Sequence, residues 1–182
     1  MYDFYHHQPP SNFEDKKRKK MKEQNCKIDS LDEEIEKYVS KRKYVKIYRT
    51  VTAGEENISG FILGHSEEFL LIQNAEEFDL NGYYVIRKNS VDSIISGKTE
   101  KKIREILQSE GILKKGFGLD KKNNLTSMKS IFKCLKKQDY FAIVECEQIK
   151  DPTFNIGEIA KISDKSVGIR YFSPEGVIEK KA

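Results

Sequence analysis

Apolar residues recur along this chain at two periods, and each change of period marks an element. Ser30-Leu31-Asp32-Glu33 fits a capping box, in which the serine oxygen accepts from first-turn amides and the glutamate reaches back. Leu31, Ile35, Tyr38 and Val39 then fall on one helical face, and Lys41-Arg42-Lys43 supplies the positive charge that suits a helix C-terminus. The period drops to two from Tyr44 to Val51, where Val45 and Ile47 alternate with Lys46 and Tyr48. Gly54-Glu55-Glu56-Asn57 reads as a turn, followed by strands at about 58–64, 68–74, 82–88 and 91–95. Helical spacing returns over 98–138. Thr99 is the expected cap of a helix carrying Ile103, Ile106 and Leu107 and ending at Gly111. Residues 114–124 read as a loop that Phe117 anchors, and Thr126 or Ser127 caps a second helix with Met128, Ile131, Phe132 and Leu135. Strand alternation resumes from Tyr140 to Cys146.

The pattern occurs twice. Residues 58–72 read ISGFILGHSEEFLLI and residues 156–169 read IGEIAKISDKSVGI. Gly60 aligns with Gly157, Ile62 with Ile159, Ser66-Glu67 with Ser163-Asp164, and Leu70 and Ile72 with Val167 and Ile169. Each copy is a glycine, an alternating strand, a polar turn and a second strand, followed by a glycine-centred turn at Asn81-Gly82 or Glu175-Gly176. The helix at 127–137 corresponds to the one at 31–41, so a repeat of helix plus strands fixes the architecture. The second copy is shorter: 35 residues run from Gly60 to Ile95, but only 25 follow Gly157. A partner chain supplying strands, a longer natural chain, or a partly open second sheet each account for this.

A helix followed by five short antiparallel strands, with glycine early in the second strand, resembles the Sm-like fold, a small bent barrel. Gly60, Ile62, Gly64, Ser66, Phe69, Leu71 and Ile72 follow the spacing of that family's first motif, and Val85-Ile86-Arg87-Lys88-Asn89-Ser90-Val91 is similar to its second. SH3-like barrels share the strand count. The resemblance covers about 30–95, with 127–182 as an incomplete second copy. It implies an α+β, mainly β chain. The expected organisation is a flexible basic arm over 1–27, a first Sm-like or SH3-like barrel over 28–97, a helical connector and loop over 98–126, and a second, truncated barrel over 127–182. The resemblance also implies where uridine would be read, but Ser66 and Leu70 stand where RNA-binding members carry an aspartate and an asparagine. An apolar side chain cannot supply the donors and acceptors of a base edge. Arg87 keeps the family's arginine, whereas Lys88 replaces its glycine. Uncharacterised bacterial proteins with two such modules look similar.

Charge changes this picture only locally. The net charge of +4 comes largely from Lys16-Lys17-Arg18-Lys19-Lys20, and the remainder is near neutral. Three cysteines without CxxC spacing argue against a disulfide framework and for a reducing, cytoplasmic setting. No stretch approaches the ~20 apolar residues of a membrane span. His6 and His7 sit in the arm, and His65 is expected exposed in a turn beside Ser66 and Glu67, where successive side chains diverge and form no triad. Gly116-Phe117-Gly118 is too short for a dinucleotide fingerprint. The expectation is therefore a non-enzyme without cofactor or metal, acting as a binding module for a protein partner or for itself. The alternative is RNA or other nucleic acid held by Lys16, Lys17, Arg18, Lys19, Lys20, Arg87 and Lys88. Lys114, Lys115, Lys121, Lys122, Lys133, Lys136 and Lys137 form a second basic region, and Tyr83, Tyr84, Tyr171 and Phe172 are candidate stacking groups.

Overall fold

The alternation after residue 43 becomes β1 (Tyr44–Val51), whose Val45, Ile47 and Arg49 are buried on one side. It precedes β2 (Gly54–His65), β3 (Phe69–Glu76), β4 (Asp79–Arg87) and, after a single 3₁₀ turn Lys88–Ser90, β5 (Val91–Ile95). The computed structural model describes residues 31–118, 123–147 and 155–172, and the arm lies outside them. The chain divides between Lys37 and Tyr38 into two units, and the first contributes residues 31–37 of helix α1 (31–40). Everything after Lys37 belongs to the second. Its five strands form an antiparallel sheet of order β4-β3-β2-β1-β5, whose end strands are not joined to each other. Helix α2 (Lys98–Ser109), a short helix α3 (Ile112–Gly116) and helix α4 (Met128–Lys137) follow. A three-stranded antiparallel sheet closes the described chain, β6 (Phe141–Val144), β7 (Asn155–Ile162) and β8 (Val167–Tyr171), in that order. The protein is thus mostly β with helices, in two sheets.

Strand β3 explains how the larger sheet is built. Phe69 to Ala75 are all buried, as expected of a central strand covered on both faces. Leu70 and Ile72 share one face with Val45, Ile47 and Ile62. On the other face, Tyr44, Phe61 and Ala75 meet Leu107, with Ile103, Ile112, Leu113 and Phe117 packed around them. Phe117 stacks edge-to-face on Phe61 at 5.1 Å, which anchors the end of α3. Gln73 completes this cover, its amide donating to the Gly116 carbonyl (2.7 Å) and accepting from Gly118 N–H (2.9 Å). Further along the same face Phe69 and Leu71 pack on Leu125 and Ile131, so α4 lies against the first sheet as well as β7.

The repeat is visible at the level of single hydrogen bonds. A constant spacing of 97 positions, Gly60 to Gly157, relates the copies. Helix α1 at 31–40 maps onto α4 at 128–137. Both helices end the same way: Lys43 N–H donates to the Tyr38 carbonyl and Tyr140 N–H to that of Leu135, while Arg42 and Asp139 take positive φ. The pairing Tyr44 with Phe61 and Val45 with Gly60 recurs as Phe141 with Glu158 and Ala142 with Gly157. Each second strand carries one extra residue, Leu63 or Ala160, opposite its partner. The polar turns match too. Ser66 N–H donates to Phe69 O and accepts back from Phe69 N–H at its Oγ, as Ser163 does with Ser166.

Several boundaries differ from the expected ones. The first hairpin turns at Thr52-Ala53, and 54–57 belong to β2, because Arg49 pairs directly with Glu56. Asn81-Gly82 is not the turn between β3 and β4. Those two residues oppose Asn74 alone as a bulge, and the turn is Glu77-Phe78, both at left-handed φ. Glycine at φ 108° suits a bulge as well as a turn, so the same residue signal served a different element. The cap of α2 is Gly97, whose N–H donates to Glu100, rather than Thr99. Helix α3 occupies the start of the expected loop, and β6 is shorter than 140–146. Of the two candidate caps of α4, Ser127 fills the role, accepting from Ser130 N–H. The second glycine turn at 175–176 lies outside the described residues.

A Cβ placed on Gly60 would lie 2.0 Å from the Gln73 carbonyl oxygen, and on Gly157 2.0 Å from that of Arg170. Gly60→Ala is therefore expected to lower the unfolding free energy by about 3 kcal/mol in urea titration. Left-handed backbone at Glu77 and Phe78 costs roughly 1 kcal/mol at each non-glycine residue. Glu77→Asn with Phe78→Gly is accordingly expected to raise the thermal midpoint by several degrees.

Candidate interaction surface

Of the residues assigned to nucleic-acid contact, Lys16, Lys17, Arg18, Lys19 and Lys20 lie outside the described residues. The other two diverge. Arg87 is exposed at the end of β4, with its guanidinium over the Phe69 ring and 3.7 Å from the Glu68 carboxylate. Lys88 turns inward. It is 7% exposed, and its Nζ donates to the Ser66 carbonyl at 3.0 Å while its N–H donates to Glu68 O. The lysine thus ties the turn after β2 to the 3₁₀ turn, and its burial withdraws it from the surface that a phosphate would approach. The parity of β4 signals this outcome, because Lys88 lies two positions beyond buried Ile86.

The stacking candidates are also separated. Tyr83 and Tyr84 follow one another on β4 and so face opposite ways. The Tyr83 hydroxyl donates to Gly118 O, and the Tyr171 hydroxyl donates to Asn155. Phe172 packs on Phe141 with ring centres 4.9 Å apart. Lys136 donates to Ala160 O, binding α4 to β7, and Lys121 and Lys122 lie outside the described residues.

His65 is the last residue of β2, half-buried rather than exposed in the turn. It borders an open cleft of about 820 Å³ between the β2–β3 turn and the segment before α4, lined also by Arg42, Leu63, Phe117, Asn124 and Leu125. Arg42 and His65 are its titratable members among the described residues, with no carboxylate or thiol beside them. Among the described residues no group of three or more His, Cys, Asp or Glu side chains is placed to hold a metal, and no helix is long and apolar enough to cross a membrane.

Two features of the second sheet were not anticipated. The first is a bridge to the larger sheet. Arg49, buried on β1, donates Nε (3.1 Å) and Nη2 (2.9 Å) to Glu56 Oε2, and Nη2 also to Glu147 Oε1 just beyond β6. Thr52 N–H donates to Glu147 O. Burial works against the guanidinium charge, but the hydrogen bonds from Glu147 and Glu56 outweigh it and raise the arginine's pKa. The alternation of Val45, Ile47 and Arg49 was the available sign that this arginine points inward.

The second feature is an uncovered face. Phe141 and Ile143 are more than half exposed, and Ile156 lies directly across from Ile143. With Phe172 they make one apolar surface, bordered by the Glu158–Arg170 ion pair at 3.0 Å. The equivalent residues of the first sheet that lie under α2 and α3 are Tyr44, Phe61, Gln73 and Ala75.

The chain matches no family model, no curated protein and no solved structure. Its chemistry is therefore read from its own geometry.

If Arg49 bridges the sheets, Glu147→Ala leaves a buried guanidinium with one carboxylate and is expected to cost about 2 kcal/mol in urea titration. Arg49→Met removes the buried charge itself and is expected to cost less. The reverse order would deny the bridge its structural role.

Proposed function

We propose that this protein is a non-enzymatic cytoplasmic binding module, built from two Sm-like or SH3-like units in tandem, that mediates protein–protein interaction or self-assembly. One observation carries the reading. The second copy repeats the first from its helix through its third strand, yet among the described residues β6 and β8 are end strands of its sheet and Phe141 and Ile143 on its outer face are more than half exposed. Strand edges and exposed apolar faces are the means by which small β units bind other chains. The Sm-like kinship rests on strand order, the bent second strand and the glycine shared by both copies.

The alternative, RNA binding through the arm and the surface of the first barrel, draws on the exposure of Arg87 and, outside that surface, of Lys114, Lys115, Lys133 and Lys137. Size exclusion with light scattering and a 260/280 nm absorbance ratio separates the two. The expected result is a protein-like ratio at low and moderate salt. A high ratio that falls with salt would overturn the protein-binding reading. In that event Lys16→Ala with Lys17→Ala and Arg18→Ala would weaken binding of every sequence alike and flatten the salt slope.

A further inference from the structure

We infer that β6 is a self-pairing edge, so that two copies of this chain join antiparallel through Phe141–Val144 into one six-stranded sheet. The inference rests on the binding-module reading and names its partner. Among the described residues four strands are sheet ends: β4, β5, β6 and β8. Natural edges are protected by charge, glycine, proline or bulges. Strand β4 carries Asp79, Gly82 and Arg87; β5 carries Asp92; β8 carries Gly168 and Arg170. Strand β6 reads Phe-Ala-Ile-Val and has none of these.

The equivalent edge of the first copy accepts an antiparallel strand. In the first copy the outer edge of β1 is occupied by β5, with Lys46 opposite Ile95 and Ile47 opposite Ile94. The corresponding positions of β6 are Ile143 and Val144, whose edge no described strand fills.

Residue changes between the copies argue for a second copy as occupant, rather than a helix like α2–α3. The helix-gripping Phe61 and Gln73 of the first copy become Glu158 and Arg170, which places a carboxylate where the covering helices need an apolar contact. Lys46 and Ser59 become Ile143 and Ile156, which moves the apolar surface toward the β6 edge. A second copy brings the same apolar stripe to the same edge, so a two-fold pairing along β6 sets like against like.

Register follows from the pleat. Opposed residues of an antiparallel pair share a face, so a two-fold axis at Ala142 sets Phe141 across from Ile143 of the second copy. The two apolar stripes then become continuous.

The test is the mass of the full chain by light scattering, with its absorbance ratio. Wild type is expected to be a dimer with a protein-like ratio. Ile143→Lys, at a position more than half exposed, is expected to be monomeric with an unchanged circular dichroism spectrum and melt. Ala142→Cys, with Cys26→Ser, Cys134→Ser and Cys146→Ser, places opposed residues about 4.5–5.5 Å apart. Oxidised glutathione is then expected to link two chains covalently. The crosslink decides the question even if the lysine variant fails to fold. A monomeric wild type with a protein-like ratio overturns β6 pairing but leaves protein binding intact with a different partner. A dimer that survives Ile143→Lys and gives no Ala142→Cys crosslink overturns β6 pairing and moves the interface elsewhere. A chain loaded with nucleic acid overturns the reading beneath both.

Discussion

The structure depends on a close approach between neighbouring strands at Gly60 and Gly157. At each, the position of an absent Cβ is 2.0 Å from a carbonyl oxygen of the next strand, Gln73 or Arg170. No side chain fits at that distance, so the second strand of each copy passes over the third only because glycine stands there. The extra residue at Leu63 or Ala160 follows three positions later. Bulges bend and twist the strand that carries them, which lets one long strand place apolar residues against both a helix-bearing face and its opposite. The serine turn, with its paired bonds to Phe69 or Ser166, fixes where the third strand starts. Glycine, bulge and serine form one unit, used twice at the same spacing.

From that shared frame the copies diverge by what they cover. In the first, Tyr44, Phe61 and Ala75 lie beneath Leu107 and Phe117, and burial pushes the Tyr44 phenol pKa up while its hydroxyl donates to the Ala75 carbonyl. Gln73 satisfies the end of α3 from within the sheet, which is why an amide is tolerated at 1% exposure. The second copy keeps the register but exchanges the central pair of this face for Glu158 and Arg170. An ion pair half in water has little to gain from a covering helix, and no described helix covers it. Divergence at two cross-strand positions thus separates a closed face from an open one.

Much of this was legible because it rests on periodicity and on glycine. The helix ends, the strand alternation and the duplicate glycines follow from local sterics that a sequence carries openly. What was misread involved residues whose signal is shared by two structures. Asn81-Gly82 announces positive φ but not whether a bulge or a turn uses it, and only the pairing of Ala75 with Leu80 decides. Lys88 reads as an exposed cation until its parity with Ile86 is considered. Arg49 and Glu147 are 98 positions apart, and nothing local announces a contact at that separation. The uncovered face was hidden for a similar reason. Phe141, Ile143 and Ile156 look like core residues in sequence, and exposure depends on whether another element lies over them.

Burial is also distributed unevenly, and this bears on how the two sheets hold together. Beyond Leu107 the buried apolar residues are Leu125, Ile131 and Ile159 among those described. Leu125 and Ile131 belong to a cluster with Phe69 and Leu71 of the first sheet, so much of the second copy's enclosed surface is shared with the first. Fixing each residue's backbone costs about 1–2 kcal/mol, and a buried aliphatic side chain returns about 1.5–3 kcal/mol. A three-stranded sheet with so few enclosed side chains therefore draws its order from its borders: α4 wedged on β3, the Arg49–Glu147 bridge and the Lys136 bond to β7. The larger sheet, covered on both faces at β3, is the fixed body. The smaller sheet is ordered by what it touches, and any chain that adds a strand or covers its apolar face stabilises it by mass action. The same sparse core that makes the second copy dependent leaves Phe141, Ile143 and Ile156 exposed.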